Sequence, residues 1–343
     1  MGTQHALRIA GLYQRRALGL LVITALLLLA LALSLMFGAN QLTVAQVWHG
    51  LWHRDGSVES AVVWDLRLPR TAVGIATGAA FGVAGALIQA LTRNPLADPG
   101  ILGVNAGAGF AVTVGVWIFG GLTIDRYLWY AFAGAAAATL LVYAIGSAGG
   151  RSSASPAVLV LAGVALAAVL GGIAQFLALM DPFTFQRLRF WGLGSLTRSG
   201  LDELRPVLPF LVAGVTLALY LAAELNSISL GDDLAVALGS NIARTRLLGI
   251  AAVTMLAGGA TALTGGIAFV GLMVPHVVRW FTGPDQRWIL AYSALASPIM
   301  VLAGDVIGRV LGRPGEIEAG LMVAMIGAPA LVVLVRRSKV SGL

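Results

Sequence analysis

Few side chains in this sequence combine the residue types and the spacing that catalysis or metal binding needs. Ser195 and His276 could act as nucleophile and base of a membrane hydrolase, yet no motif surrounds either, and His276 follows Pro275 in a helix break where a structural hydrogen bond suffices. The acidic pair Asp232 and Asp233 fits a helix cap better than a metal site. The 4 histidines lack zinc-site spacing, and the chain has no cysteine. We therefore expect no catalytic residue, no metal site and no directly bound cofactor.

The sequence also lacks the residues that would let it power transport by itself. Its one lysine, Lys339, stands in no glycine-rich loop, so the chain has no P-loop for a nucleotide. Carboxylates inside membrane spans usually mark proton or sodium relays. We expect the span interiors to lack them, with Asp305 and Glu224 only at span ends. Active transport would then need a nucleotide-hydrolysing partner, and a secondary carrier or channel remains the less favoured alternative.

The elements that must position these residues are membrane-spanning helices. Of 343 residues, 58% are hydrophobic and 11% are charged, against roughly a quarter charged in an ordinary soluble domain. Long uncharged stretches recur along the chain, and about 20 mostly apolar residues suffice to cross a bilayer. Basic residues near both termini predict that both lie in the cytosol by the positive-inside rule. An even number of crossings follows, and we predict an all-α polytopic membrane protein with ten transmembrane helices.

We predict one transmembrane domain, residues 1–343, which begins with a short cytosolic segment, 1–16, and contains the following spans. They are 17–37, 71–91, one starting near 100, 128–146, 156–180, 204–223, a short pair within 247–281 that is broken at Gly265 and Gly266, 288–304 and 317–335. This order leaves 38–70 and 181–202 outside and 224–246 in the cytosol. The net charge of +7 does not indicate nucleic-acid binding, because the arginines sit between spans and not along one soluble face.

Local chemistry marks several turns and packing surfaces. In NPLADPG, Asp98 precedes Pro99, which places an N-cap acceptor beside a proline at the first helical position, and Ser155 precedes Pro156 in the same way. The 44 glycines recur at helical spacing, as in the stripe Gly74, Gly78 and Gly82, which favours close packing of helices in lipid.

Two groups of residues indicate contacts with other molecules. The coupling element, residues 225–246, contains a short helix candidate with Gly231, Asp232 and Asp233 at its start, Leu234, Ala237 and Leu238 within it and Gly239 as its stop. It could fit a groove on a soluble partner or be an ordered loop. Outside, Arg67, Arg70 and Arg309 could orient an acidic partner or anchor lipid headgroups.

Five ordered segments of the sequence are distinctive. They are RLPRTAVGIATGAAFGVAGALIQALTRNPLADPGILGVNAGAGF (67–110), SPAVLVLAGVAL (155–166), SLGDDLAVALGSNIARTRLLG (229–249), GGIAFVGLMVPHVVRW (265–280) and IGAPALVVLVRR (326–337). Together they resemble the permease family of binding-protein-dependent ABC importers for ferric siderophores, haem and cobalamin, and are nearest to the enterobactin-type ferric siderophore permeases.

The resemblance implies a type II importer in the bacterial inner membrane, with two permease subunits, two ATPase subunits that hold ATP and Mg²⁺, and a substrate-binding protein. Enterobactin-type systems usually pair two different permease chains. The resemblance further implies that Arg67, Arg70 and Arg309 receive glutamates of the binding protein, that Gly231 to Gly239 docks on the ATPase, and that Ser155, Pro156 and Ala157 lie at the cytosolic gate. The cargo would be a ferric siderophore, with cobalamin or haem as the alternative.

The sequence departs from the family at two places and leaves the pathway open. Pro156 and Ala157 stand where the cobalamin importer has a small hydroxyl residue, and in PGEIE (314–318) Glu318 replaces the apolar residue or proline that usually follows the Glu-Leu pair of the family. Asn105 and Gln175 are polar residues within apolar helices, and each could line the pathway or form a hydrogen bond between helices.

Overall fold

The regular structure of the chain is helical throughout the described residues, which are 2–38, 40–120, 124–147 and 156–338 of the computed structural model. The helices are α1 (Gly2–Met36), α2 (Val44–Trp52), α3 (Val58–Ala61), α4 (Leu68–Thr92), α5 (Val104–Phe119), α6 (Ile124–Ser147), α7 (Pro156–Met180), α8 (Pro182–Gly192), α9 (Leu201–Ser229), α10 (Asp232–Ala237), α11 (Ile242–Val253), α12 (Gly259–Thr264), α13 (Val270–Thr282), α14 (Gln286–Leu311) and α15 (Ala319–Ser338). One π-helical turn, Val62–Arg67, joins α3 to α4, and another, Thr254–Gly258, joins α11 to α12.

The helices give ten crossings, as predicted. Within the described residues, seven helical segments are long and apolar enough to span a membrane, and α5 and α15 are shorter apolar helices. Helix α13, the second member of the predicted broken pair, brings the number to ten. The predicted broken pair is confirmed, because α12 ends at Thr264 and α13 begins at Val270. Gly265 has a φ of 74°, a left-handed conformation that favours glycine over residues with a Cβ.

Helix α4 lies at the centre of the bundle, packed against α9, α11, α12, α13 and α14. The glycine stripe faces α14: a Cβ added to Gly78 would lie 2.6 Å from the Cα of Pro298, and one added to Gly74 would lie 2.7 Å from Leu302. The predicted packing role of these glycines is therefore confirmed. Helices α5, α6 and α7 pack on one another as a second group, and most of α7 is exposed.

Several helices extend beyond their predicted bounds, because absence of charge was the criterion for a span. The second crossing begins at Val58 and not at 71, and the predicted outer segment 38–70 contains α2. Helix α9 continues to Ser229, into the segment expected to be a loop. Helix α14 continues to Leu311, so the expectation that Asp305 lies at a span end is wrong: it is fully buried inside the helix.

The turn 93–98 has the predicted cap. Arg93 is left-handed with a φ of 51°, and the Asp98 carboxylate accepts a hydrogen bond of 2.8 Å from the Gly100 N–H. Burial raises the pKa of the Asp98 carboxyl. A 3₁₀ turn, Pro99–Leu102, precedes α5, which therefore begins at Val104 and not near 100.

The alternating crossings give the bundle two ends, which we name by their short helices. The α10 end contains α10, the turn 93–98 and the turn before α14; its parts are joined where Arg93 meets Asp232 and where His276 approaches Pro95. The α2 end contains α2, α8 and the loop 312–318. There Gly194 accepts a hydrogen bond of 2.8 Å from the Gly320 N–H.

Candidate functional site

A buried charge cluster occupies the α2 end between α1, α4 and α14. Arg70, in the first turn of α4, donates from Nε and Nη2 to the Asp305 carboxylate at 2.9 and 2.6 Å. Its Nη1 donates to Glu316 at 2.7 Å. Asp305 also pairs with Arg309, one helical turn further along α14, at 2.8 Å. One buried carboxylate therefore pairs with two guanidinium groups, and a second, partly exposed carboxylate pairs with one of them.

The remaining donors of the cluster hold the end of α1. Arg309 Nη1 donates to the carbonyls of Ser34 and Phe37 at 3.0 and 2.8 Å. Arg67 donates to the carbonyls of Leu35 and Asn40. These carbonyls at the C-terminal end of a helix have no partner within the helix, so the guanidinium groups cap it. The arginines thereby join the first, second and ninth crossings.

The three arginines are close together, as their shared predicted role requires, but they are not free at the surface. Arg67, Arg70 and Arg309 are 5%, 9% and 2% exposed. Their contact with a binding protein remains a prediction, and the partners Asp305 and Glu316 were missed by the sequence reasoning. Asp305 and Arg309 are four residues apart and therefore lie on one helix face, and this spacing could have identified Asp305 as a partner of the arginines.

The predicted short helix is present at the α10 end. It runs from Asp232 to Ala237, between Gly231 and Gly239 with φ values of 112° and 87°. Asp232 fixes it to the bundle, since its carboxylate pairs with Arg246 at 3.0 Å and with Arg93 at 3.4 Å. Both aspartates lie in the first turn of the helix, but Gly231 is the N-cap and no side chain caps it, so the predicted capping role is not observed and only Asp232 is explained by ion pairs. Residues 225–229 and 242–246 of the coupling element belong to α9 and α11.

The outer face of α10 is apolar and uncovered in this chain. Leu234, Val236 and Leu238 are 56%, 60% and 64% exposed, and Ala237 beside them is exposed. Ala235 on the opposite face is fully buried. A groove of about 490 Å³ lies next to the helix, lined by Asp232, Asp233, Val236, Gly239, Ser240, Asn241, Ile242 and Ala243. Such an exposed apolar patch with a polar rim is typical of a protein interface.

The two pathway candidates, Asn105 and Gln175, lie in different environments. The Asn105 side chain accepts a hydrogen bond of 2.9 Å from the Thr261 hydroxyl, which links α5 to α12. Gln175 is exposed on α7. Of the gate residues, Ser155 lies outside the described residues, Pro156 begins α7 and Ala157 is exposed.

The residues considered for hydrolysis are not joined. Ser195 bonds to Thr197 at 2.8 Å beside α8, whereas His276 approaches the Pro95 carbonyl at 3.4 Å at the α10 end. Within the described part of the chain, no group of three or more His, Asp or Glu side chains could hold a metal ion. Glu318 lines a cavity of about 540 Å³ at the α2 end, together with Tyr127, Phe183, Gln186, Trp191 and Arg198.

Two known proteins with similar sequences are membrane permeases. The chain is 50% identical over 328 residues to the ferric enterobactin transport system permease protein FepD of Escherichia coli (strain K12), which covers 95% of this chain and 97% of that protein. It is 36% identical to the probable siderophore transport system permease protein YfiZ of Bacillus subtilis (strain 168), over 91% of this chain and 93% of that protein.

The fold agrees with a solved structure described as an inward-facing conformation of a putative metal-chelate type ABC transporter. The TM-score is 0.82 at 27% identity, over 93% of this chain and 98% of the solved chain. Residues 26–337 match the FecCD transport family, so the match begins about halfway along the first crossing, Gln14–Met36, and runs to the last turn of the last helix. The chain therefore belongs to the FecCD transport family of transport permeases.

Proposed function

We propose that this protein is a permease subunit of an ABC importer that moves a ferric siderophore into the cytoplasm. The observation that carries the proposal is the similarity to the ferric enterobactin permease, at 50% identity over 95% of the chain. In the complete importer, two ATPase subunits bind ATP and Mg²⁺, a second and different permease chain completes the pathway, and a substrate-binding protein delivers the chelate. The importer sits in the inner membrane with both termini and the α10 end in the cytosol.

Uptake by the assembled importer in proteoliposomes tests this function. We expect uptake of ferric enterobactin that requires ATP, the ATPase subunits and the loaded binding protein. Ferric citrate and cobalamin serve as competing cargoes. Gradient-driven uptake by this chain alone would identify a secondary carrier, and ATP-dependent uptake of cobalamin in preference to the iron chelate would replace the proposed cargo.

We further propose that the charge cluster at the α2 end receives the binding protein through exchange of one carboxylate. Asp305 holds the inner edge of the Arg70 guanidinium and is fully buried, whereas Glu316 holds Nη1 with a side chain that is 37% exposed. An incoming carboxylate can therefore replace Glu316 while Asp305 keeps Arg70 in place. Arg67 and Arg309 add positive potential that attracts an acidic surface.

Substitution of the two neighbouring glutamates separates this proposal from a general charge effect. Glu316→Gln leaves Arg70 Nη1 without a charged partner, so the binding protein should bind several-fold more tightly at low salt, since an exposed ion pair contributes about 0–1 kcal/mol. Glu318→Gln removes the same charge two residues away and should change the affinity less. Equal effects of both substitutions would show that only net charge matters.

We propose that α10 couples the permease to the ATPase by inserting Leu234, Val236 and Leu238 into a groove of that subunit. Leu234→Ser together with Leu238→Ser should abolish copurification of the ATPase while the binding protein still docks. The control is Leu311→Ser, which replaces a leucine of similar exposure, 65%, at the opposite end of α14 from the α10 end. Retention of the ATPase by the double variant would remove α10 from this role.

We also propose roles for the predicted pathway and gate residues on and before α7. Gln175 on the exposed face of α7 would contact the passing chelate, and Ser155, Pro156 and Ala157 would border the cytosolic exit. A wide passage that binds weakly suits a bulky chelate, because tight binding would slow its release. Gln175→Leu should therefore alter uptake rate and leave binding-protein affinity unchanged.

A further inference from the structure

Arg279 lies at the α10 end, and part of its guanidinium has no hydrogen-bond partner among the described residues. It lies in the last turn of α13, and its Nε and Nη2 are buried with no hydrogen-bond acceptor among the described residues. The other arginines that face inward at this end each have a carbonyl or carboxylate partner: Arg16 donates to the Thr282 carbonyl at 2.8 Å, and Arg93 and Arg246 pair with Asp232. Arg279 differs from them because its Nε and Nη2 have no such partner among the described residues, and this difference needs an explanation.

Helix-end electrostatics does not supply the missing acceptor. A cation in the last turn of a helix is favoured by the macrodipole, but this interaction leaves the N–H groups of the side chain unbonded. His276, one turn earlier, adds no negative charge, and its ring faces the Pro95 carbonyl. Asp285, the nearby carboxylate of the next turn, is bonded to Arg16 and Asn226. The chain therefore presents buried donors that call for an external anion.

The surroundings of Arg279 indicate the depth at which this anion lies. Trp280 and Phe281, the next two residues, are 57% and 72% exposed, and the Trp280 ring lies edge-on to His276 with centroids 6.0 Å apart. Tryptophan is enriched at the boundary between membrane and water. An arginine whose neighbours are exposed aromatic rings at this boundary is at the level of lipid headgroups, and basic pockets between helices on the cytoplasmic side bind anionic lipids.

We propose that Arg279 is the centre of a binding site for the phosphate of an anionic phospholipid, with Trp280 and Phe281 beside the acyl chains. Arg279 as a whole is only partly buried, so a phosphate oxygen can approach the guanidinium from its open side and supply the charged acceptor that Nε and Nη2 lack. The bound headgroup completes the end of α13, which packs on α4, α14 and α15. The inference depends on the membrane location of the chain and not on its cargo or partners.

Lipid retention by the full chain, purified in detergent, tests the site. Native mass spectrometry should show dioleoylphosphatidylglycerol retained by the unsubstituted protein and dioleoylphosphatidylcholine lost. Arg279→Gln should weaken retention about tenfold, and Arg279→Lys, which keeps the charge without the paired donors, should have an intermediate effect. Arg287→Gln is the matched control, because this exposed arginine lies at the same end of the bundle.

Three outcomes would overturn the proposal. Equal retention of phosphatidylglycerol by Arg279→Gln and the unsubstituted chain would exclude the site. Equal stabilisation by inorganic phosphate and by the lipid would identify a free-anion site. Loss of ATPase copurification with unchanged lipid retention would assign Arg279 to a carboxylate of the ATPase. Failed uptake of iron chelates with normal lipid retention would count only against the proposed transport function.

Discussion

At the scale of single residues, the structure depends on how buried charges are neutralised. Asp305 has no exposed surface and contacts two arginines that are themselves buried. Charges removed from water are tolerated only when they are paired and hydrogen-bonded. With Glu316, two carboxylates face three guanidinium groups, so the cluster keeps one positive charge that a visiting acidic group can satisfy. The residues that stabilise the fold here are thus the same ones that are proposed to receive an acidic partner.

Removal of the central carboxylate should destabilise the protein strongly. Asp305→Asn leaves Arg70 and Arg309 buried without their shared counter-ion, and breaking a buried pair costs about 3–5 kcal/mol. Thermal unfolding of the full chain in detergent measures the loss. Asp202→Asn is the control, because its ion pair with Arg205 is exposed, with side chains 85% and 74% accessible, and should contribute about 0–1 kcal/mol. Similar losses for both substitutions would contradict the structural role of Asp305.

The Asn105 side chain offers a second test at this scale, between a packing role and a pathway role. Its hydrogen bond to Thr261 joins α5 and α12, and such bonds between membrane helices contribute about 0.6 kcal/mol on average. A double-mutant cycle of Asn105→Ala and Thr261→Val should therefore give a coupling of about this size. No coupling, combined with a changed uptake rate for Asn105→Ala alone, would instead place Asn105 in the pathway.

At the scale of the elements, small residues determine how closely α4 approaches its neighbours. The stripe Gly74, Gly78 and Gly82 meets α14 where that helix contains Ser297 and Pro298. Two helix backbones can come so near only where one of them has no side chain in the way. This close packing matters in lipid, because no hydrophobic force draws membrane helices together. Helix α7 is different, because an added Cβ at Gly171 or Gly172 would meet nothing within 4 Å.

The contrast between these glycines predicts opposite effects of one substitution. Gly78→Ala puts a methyl group 2.6 Å from the Pro298 Cα, against backbone that cannot move aside, and should cost about 1–3 kcal/mol. Gly171→Ala should be neutral or stabilise the unassembled chain by up to about 1 kcal/mol, through helix propensity alone. Thermal unfolding of the two variants side by side decides the matter. A harmless Gly78→Ala would mean that α4 and α14 are not in close contact.

The elements also show what sequence reasoning reaches and where it stops. The break at Gly265, the Asp98 cap and the helix between Gly231 and Gly239 were predictable, because each depends on neighbouring residues. The even number of crossings was predictable from the basic residues near both termini. The extension of α14 past Asp305 was not, because a charge was taken to end a span. Its partner Arg70 is 235 residues away, and such a pairing follows from the packing of helices and not from local pattern.

At the scale of the whole molecule, α4 connects the two ends that are proposed to meet different partners. Its 25 residues span about 37 Å, at about 1.5 Å per residue, which exceeds the hydrocarbon thickness of a membrane. Arg70 near its start belongs to the charge cluster, and Arg93 at its C-terminal cap pairs with Asp232 of α10. A rigid central helix, anchored by ion pairs at both ends, is a physical route between a docking surface and a coupling helix.

A connection through α4 between two partners requires that the α2 end and the α10 end lie on opposite sides of the membrane, with α10 in the cytosol. The absence of cysteine lets single substitutions report each side without background. Ala45→Cys on α2 and Ser229→Cys at the end of α9 both replace exposed residues of similar size. A membrane-impermeant maleimide, applied to spheroplasts, should label Ala45→Cys at once and Ser229→Cys only after the membrane is permeabilised. The reverse pattern would put α10 outside, where it could not reach a cytosolic ATPase, and both proposed interfaces would then be wrong.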